Sequence, residues 1–265
     1  MRRSDEHFDA LQDSIHEFFG RDPYEVAYDL EPESNQYVVR VKVRERPPPE
    51  WSPVIGDIVH NMRSALDHLA WQLVIRNGCK PFGKMRFPIF SRDPFDRSLY
   101  SKTKHWKNAL NRWQTQTEGM HPRDIAFLKD LQPYQRMDDA TPHPLDWLKE
   151  FSNWDKHREL HFATSAFVGP LFYLKESSRN VAIQPFDVRP RGDVFEDGAE
   201  VARFEAVSLG CDPYVDVDIK VMYEVAFGEG SPLEGLWIKQ TLLDIGQYVW
   251  DILLRFKIYF DGQMF

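Results

Sequence analysis

The chain has 265 residues, a formal net charge of −8 and two cysteines. That charge argues against a protein that coats nucleic acid by bulk electrostatics, and two cysteines cannot form a disulfide framework. With 42% hydrophobic and 14% aromatic residues, including eight tryptophans, the chain can bury a substantial core, which excludes global disorder.

Cys79 and Cys211 lie outside any CxxC pair, so both are expected as ordinary buried thiols in a reducing compartment. The charged start Met1 to Glu6 leads into no apolar run, so a secretory leader is not expected. No stretch of roughly 18 uncharged apolar residues offers a membrane span. The nearest, Leu236 to Phe260, is interrupted by Lys239, Asp244, Asp251, Arg255 and Lys257 and reads as a buried helix. Together these features predict a soluble cytoplasmic protein without a membrane partner.

Phe8, Leu11, Ile15 and Phe18 place a helix over residues 6–19. Tyr24, Val26, Tyr28 and Leu30 alternate, Pro32 to Asn35 turn, and Tyr37, Val39, Val41 and Val43 alternate again. This is a hairpin whose second strand carries Arg40, Lys42 and Arg44 on a basic, solvated face. Pro47 to Pro49 end it, and Ser52-Pro53 open a helix that should close near Arg76 at Asn77-Gly78.

Cys79 to Leu99 reads as loop. Helices follow over 102–117, 122–131 and 144–161. Segments 162–167 and 171–175 flank Gly169-Pro170, which suggests a hairpin. Residues 201–207 and 215–221 read as strands. Ser231-Pro232-Leu233-Glu234 is a capping box expected to open a helix to about Phe260.

The fold class is therefore α+β, read as a single interleaved domain over 1–265. Its parts are an N-terminal helix and hairpin (1–45), a helical part (50–161), an antiparallel β part (162–228) and a long C-terminal helix (231–262).

On a helical wheel Ile55, Ile58, Val59, Met62, Leu66, Leu69 and Leu73 form one apolar arc. Arg63 lies beyond one edge, with Asp67 a turn on. His68 lies beyond the other, with Asn61 and Gln72. Trp71 stands in the middle of the face that should be solvated, which suggests that this face meets a helix, a second subunit or a ligand.

Arg63-Ser64-Ala65-Leu66-Asp67-His68 resembles the Arg-x4–6-His pattern of the HEPN superfamily (higher eukaryotes and prokaryotes nucleotide-binding). The wider run, Ile55 to His68, also resembles bacterial proteins of unassigned function. Ser64 follows the arginine where a common form has an amide or acid, and the acid stands at Asp67 instead. The resemblance implies a helical bundle that often dimerises. In many members it also implies a metal-independent ribonuclease whose site forms where two such helices meet, here in a stress, toxin or antiphage role.

The residue types suit that chemistry. His68 is a base for the ribose 2′-OH, and Arg63 offers a planar fork of donors to phosphate oxygens. Asp67 would fix the arginine, and Asn61 would be an auxiliary donor. The alternative is an Arg63–Asp67 pair that serves structure alone, with His68 satisfied inside the bundle. A non-catalytic nucleotide- or protein-binding module, or a dimeric scaffold, would use the same helices.

Asp155 and Arg158 fall within the apolar arc of Trp147, Leu148, Phe151 and Trp154 and are expected to pair or to support the site. Lys102, Lys104, Lys107 and Arg112 interleave with Trp106 and Trp113 in a segment free of acids, a candidate nucleic-acid contact. The competing reading is a solvated helix with its tryptophans turned inward. His157 and His161 have zinc-compatible spacing but face the polar side, so no metal is expected. No phosphate-binding loop, dinucleotide fingerprint or nucleophile elbow occurs, and no cofactor is implied.

Overall fold

Helices and antiparallel strands alternate along the residues that the computed structural model describes: 2–83, 85–136, 142–154, 163–190, 195–211, 214, 216–228 and 230–262. In chain order these are α1 (Arg2–Gly20), β1 (Tyr24–Glu31), β2 (Gln36–Val43), α2 (Trp51–Arg76), α3 (Thr103–Thr117), α4 (Pro122–Asp130) and α5 (Pro144–Trp154). Then come β3 (Ala163–Leu174), β4 (Val181–Phe186), β5 (Ala199–Ser208), β6 (Val217–Phe227) and α6 (Ile238–Asp261). The chain is α+β. It forms two compact units, one of Met1–Phe8, Val54–Glu159 and Gln240–Phe265, the other of Asp9–Pro53 and Leu160–Lys239. No described helix is long and apolar enough to cross a membrane.

In the first, helical unit the apolar arc of α2 is buried at every expected position from Ile55 to Leu73. α6 contributes Ile245, Val249, Ile252 and Phe256 to the core. Gly246 lets it run close to α2, because a Cβ there would stand 3.0 Å from Met62 Cε. Phe127 of α4 meets Phe256 edge-on at 4.8 Å, joining α4 to α6. Asn77-Gly78 stops α2 as expected: Gly78 takes φ +75°, and the Cys79 N–H returns to Val74 O at 3.1 Å. Along its opposite side α6 leaves Leu243, Trp250, Leu254 and Ile258 exposed.

The second, β-rich unit has a four-stranded antiparallel sheet in the order β1-β2-β5-β4 and a two-stranded sheet of β3 and β6. Tyr37 stacks on Phe204 at 4.7 Å, while Phe18, Trp51, Tyr24, Phe195 and Tyr223 form a second aromatic cluster. Tyr24 Oη and Ser165 Oγ hydrogen-bond inside that cluster.

Several expectations are corrected. The hairpin at Gly169-Pro170 is instead one strand, β3, that bulges between Phe167 and Gly169 against β6. Glycine and proline mark a bulge as well as a turn, and in a two-stranded sheet proline's missing N–H can face the open edge. The capping box at Ser231 closes only a turn. Ser231 Oγ accepts the Leu233 N–H and Glu234 accepts the Gly230 N–H, but Gly235 at φ +77° breaks the helix, which starts at Ile238. The basic face of β2 is paired rather than merely solvated, with Lys42 and Arg44 on Glu25 and Arg40 facing Glu200. Cys79 and Cys211 are exposed, because they sit past a helix end and beyond a strand end rather than on an apolar face. Strand β4, with Pro185 in its interior, was not expected from the sequence pattern.

α5 is capped by the buried His143, whose Nδ1 accepts the Leu145 N–H at 3.1 Å while its ring lies edge-on to Tyr248. Burial holds its pKa below the ordinary value, with Asp146 opposing and Arg136 assisting. A depressed histidine contributes stability that is present above its unfolded value of about 6.5 and is lost as pH falls through the folded value. Melting temperature should therefore drop from pH 7 to pH 5. His143→Asn, which keeps a capping acceptor without titrating, should shallow that drop. An unchanged pH slope in the variant would remove His143 as a contributor.

Candidate functional site

The site is built around a loop that ought to be expensive to bury. Met85, Phe87, Pro88, Ile89 and Phe90 are all buried, yet they join no helix or strand. Their backbone polar groups therefore need partners. Asp67 and Arg63, one turn apart on α2, meet one side of the loop. The Phe87 N–H donates to Asp67 Oδ1 at 2.9 Å, and Arg63 Nη2 donates to Phe87 O at 2.7 Å. The two side chains are joined at 2.8 Å and are 15% and 29% exposed. Gln132, just beyond α4, holds the loop too: its amide donates to Pro88 O and accepts the Phe90 N–H.

Arg63 thus spends Nη2 on the loop and on Asp67. Its Nε and Nη1 bond to no described residue, and the side chain lines a cleft of about 190 Å³. The loop adds Arg86, Phe87 and Ile89 to that cleft, α3 adds Arg112 and Gln116, and α5 adds Lys149, Ser152 and Asn153. Four of these side chains are cationic and none is acidic.

Burial pushes the Arg63 guanidinium below the usual arginine range, and Asp67 opposes that shift. Burial likewise lowers Arg112, with Tyr100 opposing, and the guanidinium of Arg112 lies 4.3 Å from the centre of the Phe90 ring. Lys149 donates to Ser91 Oγ at 3.0 Å. Gln116 Oε1 is buried without a hydrogen-bond partner. The cleft thus gathers two half-buried cations, Arg63 and Lys149, two exposed ones, Arg86 and Arg112, and the amides of Gln116 and Asn153, donors suited to an anion.

The residues singled out in the sequence divide. Arg63 and Asp67 stand on the side of α2 that meets the loop. His68 is five residues beyond Arg63, about 140° further round the helix, and is exposed. It does not line the cleft. Asn61, half-buried, shares the sector of His68, and so do the exposed Gln72 and Ile75. Trp71, 39% exposed, stands beside them.

Of the basic residues singled out on and just before α3, Arg112 lines the cleft, whereas Lys102, Lys104 and Lys107 are exposed and do not line it. Trp106 is half-buried, and its Nε1 has no partner. Asp155 and Arg158, with His157 and His161, lie outside the described residues.

Arg86, Gln116, Lys149 and Ser152 were missed. The helical ones had a weak signal, since Arg112 and Gln116, like Lys149 and Asn153, repeat polar residues at i,i+4. Arg86 sits in a loop and had none.

No protein-family model, no curated protein and no solved structure significantly matches this chain.

The clamp makes a stability prediction. Arg63→Ala and Asp67→Ala should each cost about 1–3 kcal/mol in urea unfolding, because each strands a buried loop group and a charged partner. The double variant should cost less than their sum. Losses below about 0.5 kcal/mol would show that the loop is held by other contacts.

Proposed function

We propose that the helical unit binds a phosphate-bearing ligand, RNA or a nucleotide, with Arg63, Arg86, Arg112 and Lys149 around the phosphate. The observation that carries this reading is the convergence of four cationic side chains on one small cleft, with no carboxylate lining it among the described residues. Like charges brought to one cleft repel each other, most strongly where solvent is scarce, as at the half-buried Arg63 and Lys149, and an anion between them removes that repulsion. Arginine's fixed fork suits phosphate oxygens, and Arg63 is already oriented by Asp67 and Phe87 O. An overall acidic protein can still hold such a local site.

A labelled oligoribonucleotide tests this by fluorescence polarisation. Arg112→Ala combined with Lys149→Ala should weaken binding at least about tenfold. Affinity should also fall with salt, with a log–log slope near −0.7 if the cleft neutralises about one phosphate of the strand. Binding that ignores both the substitutions and salt would overturn the reading.

A second reading is the metal-independent ribonuclease implied by the HEPN resemblance, with its stress, toxin or antiphage setting. One observation favours it: His68 is exposed on a sector with Trp71 and Ile75, large apolar residues of the kind that subunit contacts cover. In a homodimer pairing these faces, two copies of His68 would approach each other and offer a base to RNA lying along the seam. Cleavage by purified protein in chelator should then disappear in His68→Ala while RNA binding persists. Trp71→Ala should yield monomers by light scattering. Cleavage that survives in His68→Ala would exclude this mechanism.

A further inference from the structure

We infer that the cleft is selective for a dianionic phosphate monoester, the terminal phosphate of a nucleotide or of an RNA end, over an internal phosphodiester. This rests on the phosphate-binding reading above and narrows its ligand.

Charge is the first argument. Asp67 matches the guanidinium of Arg63 at 2.8 Å, and the Lys149 ammonium lies 3.7 Å from Glu150. Arg86 and Arg112 make no ion pair with any described residue; Arg112 rests on the Phe90 ring. About two positive charges at the cleft are therefore uncompensated. A phosphate monoester brings roughly −1.5 to −2 at neutral pH and three acceptor oxygens. An internal diester brings a single charge and two free oxygens, and it would leave one cation unmatched.

Size is the second. At about 190 Å³ the cleft is smaller than the roughly 300–1,000 Å³ that encloses a drug-sized ligand. It takes a phosphoryl group and little more, so the sugar and base stay outside. A terminal phosphate can enter such a recess end-on, whereas an internal one must bring chain on both sides.

Hydrogen bonding is the third. Gln116 Oε1 is buried at the cleft without a partner. A phosphate oxygen only accepts, so it would be met by the Gln116 amide N–H groups; which way a side-chain amide points is assigned from its partners.

The test uses full-length protein and one short oligoribonucleotide in three forms: 5′-phosphorylated, 3′-phosphorylated and without terminal phosphate. A nucleoside 5′-monophosphate forms a fourth arm. At least one phosphorylated form should bind about tenfold tighter than the unphosphorylated RNA at pH 7.5. That advantage should shrink at pH 5.5, below the second phosphate pKa of about 6. Arg86→Ala removes an exposed side chain that makes no hydrogen bond or ion pair with any described residue, and it should abolish the advantage while leaving the melting temperature unchanged. Arg112→Lys should retain part of it.

A mononucleotide that binds as tightly as the phosphorylated RNA identifies a nucleotide ligand; preference for the oligomer identifies an RNA end. Equal affinity for all three RNA forms, with Arg112→Ala weakening each alike, overturns the monoester inference and leaves phosphate binding standing. If no form binds, both fall.

Discussion

The helical unit depends on satisfying the backbone of a loop that it buries. Residues 85–90 bring Met85, Phe87, Ile89 and Phe90 into the core without the ladder of a strand or the repeat of a helix. Each amide and carbonyl left unpaired there would cost about 1–3 kcal/mol. The solution is side-chain substitution for a neighbouring strand. Asp67 accepts and Arg63 donates at Phe87, much as a β partner would, and Gln132 does the same for Pro88 and Phe90. An ion pair serves well here because each member stabilises the charge of the other while bonding the same peptide unit.

This constraint also shapes the cleft. Because Arg63 must reach the loop, it is held where solvent is scarce and its charge is held below its usual affinity for protons by burial. Its side chain then lines the same recess as side chains of α3, α5 and the loop. Both bonds that hold the loop and Asp67 use Nη2, which leaves Nε and Nη1 bonded to no described residue. His68, bound by no such requirement, remains on the outer side of α2 with Trp71.

Much of the fold was legible in the sequence because local signals and the tertiary outcome agree. The apolar arc of α2 is buried at every expected position, Asn77-Gly78 ends the helix, and the β1–β2 hairpin pairs Tyr24 with Val43 and Glu31 with Gln36. Local signals misled where one residue type has two uses. Gly169-Pro170 marks a bulge inside β3, and the Ser231 cap is outweighed by the left-handed Gly235.

The site was half legible. Arg63 and Asp67 were visible from their spacing, and Arg112 from the run of bases. Arg86, Gln116 and Lys149 reach the cleft through packing of separate elements, which the i,i+4 polar pairs on α3 and α5 record only weakly and the loop sequence not at all. The wheel placed His68 and Arg63 on opposite edges of the apolar arc, and the two remain on different sides of α2.

Anchoring a loop through Arg63, Asp67 and Gln132 also changes how the protein would tolerate alteration. Most loops accept inserted residues, since their backbone faces water. In this one an added residue between Phe87 and Phe90 would shift the hydrogen-bonding peptides out of register with side chains fixed on α2 and beyond α4. The segment has the indel intolerance of a central strand while carrying no regular secondary structure. Its spacing, more than its composition, is what the fold holds constant.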